Sequence, residues 1–212
     1  MDVRSYLGGP WDEEVTRSLL VGVEAEAAWD LLHRVTVKDV PMVRALLAAR
    51  ALPARLKRRH SEADGRTPLL EQLVATGFTP LASERPHHVA LGRIGSFWRL
   101  VPEYRDAPTG EAFARFAAPG FAKAVLTFEL SPCPSGTRIT TTTRVRATDE
   151  VARRKFRTYW RLICWAGGAM RHAVLRAVAR QAKSMAVGVA GPESHSPLAA
   201  PGGRGTTPEA DR

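Results

Sequence analysis

The residues that could do chemistry are few and far apart. Leu91 to Trp98 reads LGRIGSFW, and its Gly92 and Gly95 superficially suggest a loop that cradles phosphate. A phosphate loop needs a GK[ST] ending and a helix start, and neither follows here. The two glycines are instead read as a strand bend beside aromatic packing. His87 and His88 are adjacent, so on a strand they face opposite sides and cannot share a metal ion. No Cys, His or Asp stands near them at ligand spacing, and no metal site is assigned. The chain lacks GxSxG, CxxC and HExxH, and it has no Cys/His pairs for the cluster of a Rieske-type oxygenase. Glu84, Glu103, Asp106, Glu111 and Glu129 could include one carboxylate inside a cavity, but most are expected on the surface. No catalytic residue and no cofactor is assigned.

Two features suit binding better than catalysis. Thr140 to Thr143 is a threonine run in a strand, where β-branched residues are favoured in any case. Thr141 and Thr143 share a face with Ile139 and would give an apolar pocket two hydroxyls, as a small-molecule site requires. The second feature is basic charge. The net charge is +10, with 31 Lys and Arg against 21 Asp and Glu. An Arg-rich helix face carrying Tyr159 and Trp165, and the run Arg55 to His60, could meet an anionic membrane surface. Nucleic acid is not expected, because no recognition-helix module or paired stacking aromatics are present. The default for such charge is a solvated face.

The elements that must position these residues follow from periodicity. Val15 to Val23 suits a strand, and Glu24 to Leu32 a short helix with Ala28, Trp29 and Leu32 at helical spacing. A helix over 39–52 has Asp39 as cap and Pro41 in its first turn. Another runs from Thr67 and is closed by Gly77. Strands are predicted over 78–85, 87–94, 111–118, 123–131 and 137–147. In the last, Ile139, Thr141, Thr143, Val145 and Ala147 point one way. Ala124, Leu126, Phe128 and Leu130 answer them across a Pro/Ser/Gly turn, which predicts an antiparallel hairpin with one apolar face to cover. The cover is a long helix capped by Thr148 or Asp149. Along it, Ala152, Phe156, Trp160, Ile163, Gly167, Met170, Val174 and Val178 recur every three or four residues. Gly167 and Gly168 should weaken or bend it midway.

The 212 residues, 44% apolar and 25% charged, fit one globular domain. The expected organisation is an N-terminal extension over 1–13, a domain over 14–187 and a disordered Pro/Gly-rich tail over 188–212. Two cysteines, the lack of a secretory pattern and the lack of a membrane-length apolar run point to a reduced cytoplasmic setting.

The order is strand, short helices, antiparallel strands, long C-terminal helix. With the segments GFTPLASERPHHVALGRIGSFWRL, PGFAKAVLTFEL and TRITTTTRVRATDEVARRKFRTYWRLI, it resembles the SRPBCC superfamily (START, Bet v 1-like and polyketide-cyclase-like proteins), in particular an uncharacterised bacterial group. The resemblance covers roughly residues 14 to 185. It implies an α+β helix-grip fold, in which a curved antiparallel sheet wraps the C-terminal helix around an apolar cavity. It supplies no catalytic motif. The implied function is binding of a small hydrophobic or amphipathic molecule, lipid or polyketide-like. The alternatives are a cofactor-independent cyclase or dehydratase in the same cavity, and a peripheral lipid-transfer protein using the basic helix face. The expected lining is Phe97, Trp98, Leu126, Phe128, Ile139, Thr141, Thr143, Phe156, Trp160, Ile163 and Met170. Trp160 is expected to border open space.

Overall fold

The computed structural model describes residues 3–36, 67–161, 175–180 and 182. Its elements begin with helix α1 (Val3–Leu7), strand β1 (Glu13–Val21), α2 (Ala25–Arg34) and α3 (Leu69–Ala75). They continue with β2 (Thr79–Glu84), β3 (His88–Gly95), β4 (Tyr104–Arg105), α4 (Gly110–Arg115), β5 (Ala122–Cys133) and β6 (Gly136–Ala147). The chain is helical again over 150–161, here α5, and over 175–180. The strands form one open antiparallel sheet in the order β1-β6-β5-β3-β2, with β4 paired to β3. The architecture is α+β. Among the described residues, no helix is long and apolar enough to cross a membrane.

Register assigns the two faces. Leu126 pairs with Thr143 and Leu91, and Phe128 with Thr141 and Val89, so these side chains share the front face. Trp29 and Leu32 of α2, Leu69 and Leu70 of α3, and Leu175 and Val178 pack there against Phe128, Leu130, Ile139 and Val89. At the other end of the same face, Phe156 and Trp160 of α5 pack against Ala122, Val145 and Val15.

The back face is covered too. Tyr6 and Leu7 of α1 and Phe113 of α4 close over Ile94 and Val125. Gly92 is required there, because a Cβ would stand 2.7 Å from the Phe113 ring. Lys123 anchors both small helices, its Nζ donating to Tyr6 O at 3.2 Å and Ala114 O at 3.0 Å. Cations suit helix C-terminal carbonyls. Burial, then the neighbouring Arg146, pushes the Lys123 ammonium below its ordinary range. The extension over 1–13 therefore contributes a buried helix to the body.

One predicted strand is a helix. Residues 111–118 alternate superficially, but Gly110–Arg115 is α4, capped by Thr109, whose side chain accepts from the Ala112 N–H at 3.1 Å. Phe113 and Phe116, three apart, meet the sheet from one side of that turn, and Glu111 pairs with Arg115 at i,i+4. Thr142, on the face of β6 opposite Ile139 and Thr141, is also buried; its hydroxyl meets Thr16 Oγ1 at 3.1 Å. The helix over 39–52, the Arg55 to His60 run, Gly167, Gly168 and the tail lie outside the described residues.

The cap of α5 is Asp149. Its carboxylate accepts from the Ala152 N–H at 2.9 Å and from the Gly120 N–H at 2.5 Å, while Thr148 bonds Phe121. Those backbone donors, Gly120 first, hold the Asp149 carboxyl below its ordinary range. A depressed folded-state pKa contributes stability that is complete above the unfolded aspartate range, roughly pH 4, and fades as pH falls through the folded value. Asp149→Ala is expected to cost about 1–2 kcal/mol at neutral pH. Urea titrations of wild type and variant over a pH series should converge in acid. A difference that stays constant down to the acid limit would show that the carboxylate charge is not what caps the helix.

Candidate functional site

The sequence-predicted lining divides into two packed clusters. Phe97 and Trp98 each meet the Phe156 ring edge-on at 6.3 Å, and Trp160 lies 5.5 Å from Phe156. Phe156 and Trp160 are buried. This end of the front face is filled, not open as the Trp160 expectation had it, because four large rings occupy the space above Ala122, Ala124 and Val145. Phe128 and Ile139 belong to the other cluster, under α2 and residues 175–182, with Leu126 packed against it and partly buried. Thr141 and Thr143 do share the front face between the clusters. Thr141 is 1% exposed, and among the described residues its Oγ1 has no hydrogen-bond partner. Thr143, Leu126 and Ala124 are half-buried. Ile163 and Met170 lie outside the described residues.

Beside these clusters on the front face is an open groove of about 440 Å³, at the β2–β3 edge. Alpha-helix α3 forms one wall with Leu70, Glu71, Val74 and Ala75. Strands β2 and β3 form the other with Pro80, Ala82, Ser83, Val89 and Leu91, and His33 of α2 closes the end. The volume lies within the range of small-molecule sites, roughly 300–1,000 Å³. The wall is mostly aliphatic, and its polar side chains among the described residues are His33, Glu71 and Ser83. His33 Nδ1 lies 2.9 Å from Trp29 O, one helical turn back, and the imidazole leans on the Trp29 indole at 4.4 Å.

Sequence reading missed this groove. The signal was in LLEQLVA, where Leu69, Leu70, Leu73 and Val74 spread apolar side chains over more than one narrow stripe. Leu69 and Leu70 are buried, whereas Val74 is 40% exposed and lines the groove.

The remaining polar candidates are accounted for by other contacts. Arg93 reaches the front face almost fully buried; it donates to Gly77 O and to Asp106 Oδ1 and lies 4.5 Å over the Tyr104 ring. It ties the start of β2 to the loop after β4. Glu103 pairs with Arg99 and Arg105, and Glu84, Asp106, Glu111 and Glu129 are exposed. Gly92 and Gly95 lie within β3 against Phe113, Tyr104 and Phe97, which is the aromatic packing expected of them. Among the described residues, no group of His, Cys, Asp and Glu is arranged to hold a metal ion. On α5, Arg153 pairs with Asp12 and Glu150, Arg154 with Glu150 and Arg157 with Glu13, so part of the basic face is neutralised locally.

In comparisons with known proteins, no family model matches the chain and no curated protein matches it either, so the arrangement of these side chains carries the functional assignment.

Proposed function

We propose that the chain is a helix-grip protein of the SRPBCC type that holds a small hydrophobic or amphipathic molecule without chemical change, in the groove between α3 and the β2–β3 edge. The fold part is supported by the front face: α5 packs at one end of it and the helical residues 175–178 at the other. The observation that carries the function is the groove itself, an aliphatic trough of about 440 Å³ on that face, whose polar points among the described residues are His33, Glu71 and Ser83. Binding an apolar body there removes Val74, among other side chains, from water at about 25 cal/mol per Å². A cyclase or dehydratase, the second reading, would need an acid and a base converging on one reacting atom.

The test is titration with the neutral, environment-sensitive dye Nile red. Wild type is expected to bind it with a blue-shifted emission. Ala75→Trp, at an exposed position on α3, should weaken binding about tenfold or more, a loss of about 1.4 kcal/mol, at unchanged melting temperature. Equal binding by both proteins, or none by wild type, would remove the groove as the site.

A further inference from the structure

The polar side chains of the groove decide which end-group a ligand can carry, an inference that rests on the groove being the binding site. His33 Nδ1 stands 2.9 Å from Trp29 O. A carbonyl oxygen only accepts, so Nδ1 carries the hydrogen, and in the neutral ring Nε2 is left with a lone pair and no hydrogen. Contact with the Trp29 indole, tilted at 35°, keeps the ring in that orientation. Glu71, exposed on the α3 wall, is acceptor-only when ionised. Ser83 can give or take a hydrogen bond, and among the described residues neither Lys nor Arg lines the groove. The whole chain carries +10, which by itself would favour acidic ligands, yet the groove offers chiefly acceptors. Local hydrogen-bond chemistry outweighs the distant, screened charge, because a carboxylate set against the His33 Nε2 lone pair leaves both without a donor.

We propose that the ligand of this groove bears a hydrogen-bond donor, a hydroxyl or an amine, on an apolar body, and that carboxylates and phosphates are rejected. The hydroxyl donates to His33 Nε2. An ammonium, if that is the end-group, is held by the Glu71 carboxylate.

The experiment displaces bound Nile red with octanol, octylamine, octanoate and heptyl methyl ether, four probes with similar apolar bodies, at one mildly alkaline pH. Octanol and octylamine are expected to act at about tenfold lower concentration than the ether, the value of one net hydrogen bond, with octanoate weakest. His33→Phe keeps a ring against Trp29 and removes the nitrogen; it should bring octanol level with the ether and leave the ether unchanged. Glu71→Gln should remove the preference for octylamine alone. In wild type, the Nε2 nitrogen resonance of His33 should shift on adding octanol and stay still with the ether, a readout that does not depend on the variants folding. Ether displacement without any end-group preference, octanoate matching octanol, an octanol preference that survives His33→Phe, or an unmoved Nε2 resonance overturns the donor assignment and leaves the groove standing. Displacement by none of the four overturns both.

Discussion

Trp160→Ala is expected to lower the unfolding free energy by about 3–5 kcal/mol, the range for deleting a large buried aromatic side chain, while leaving Nile red binding in the α3 groove unchanged. Trp160 is 8% exposed and packs 5.5 Å from Phe156, which in turn meets Phe97, Trp98 and Tyr159. The void left behind is walled by Phe156, Val15, Ala122 and Val145, and sheet and helix cannot both collapse into it. Had this end of the front face been an open cavity, the indole would already lack neighbours and its removal would cost little. Denaturant unfolding of wild type and variant measures the loss. A drop under about 1.5 kcal/mol, together with a new dye site in the variant, would place the cavity between sheet and C-terminal helix and take it away from α3.

The two outcomes for Trp160 show what periodicity can and cannot convey. The spacing of Ala152, Phe156 and Trp160 marks the face that α5 turns to the sheet, and the structure buries all three. Whether such a face meets a cavity or other side chains depends on what arrives from elsewhere in the chain, here Phe97 and Trp98 from the loop after β3. The β5–β6 hairpin was legible almost to the residue, because alternation and turn chemistry agree there. Residues 111–118 misled for the opposite reason: a short segment of mixed Ala and Phe satisfies a period of two as well as one of 3.6, and only the Thr109 cap separates them. Helix α1 was invisible because five residues hold too little pattern; it exists by packing Tyr6 and Leu7 onto the back face. The groove was missed since it is made at an edge, between α3 and the β2–β3 hairpin, and edges are set by tertiary spacing.

Among the described glycines, the one in the hairpin turn is the one hemmed in by backbone. Gly136 has φ +123°, and a Cβ there would lie 2.2 Å from Val21 O, 2.9 Å from Gly22 Cα and 3.0 Å from Val23 N. All three are backbone atoms at the end of β1, so no side-chain rotation can relieve the contact. The neighbouring Thr137 hydroxyl donates to Val23 O at 2.7 Å, which ties the same two segments together and resists their separation. Gly136→Ala therefore combines a conformational cost of about 1–3 kcal/mol with a steric one, and a total of about 3 kcal/mol or more is expected. Gly120 supplies the control: its φ is +84°, and nothing lies within 4 Å of the Cβ position. Gly120→Ala should lose only the conformational part, about 1–2 kcal/mol, since an alanine N–H still reaches Asp149. Equilibrium unfolding in urea, with unchanged denaturant dependence as the check on two-state behaviour, reads both. The difference between the two variants is the energy of pushing β1 away from the hairpin. Equal losses would mean that residues 21–23 yield freely, so that β1 is held to the sheet by its ladder with β6 and not by this turn.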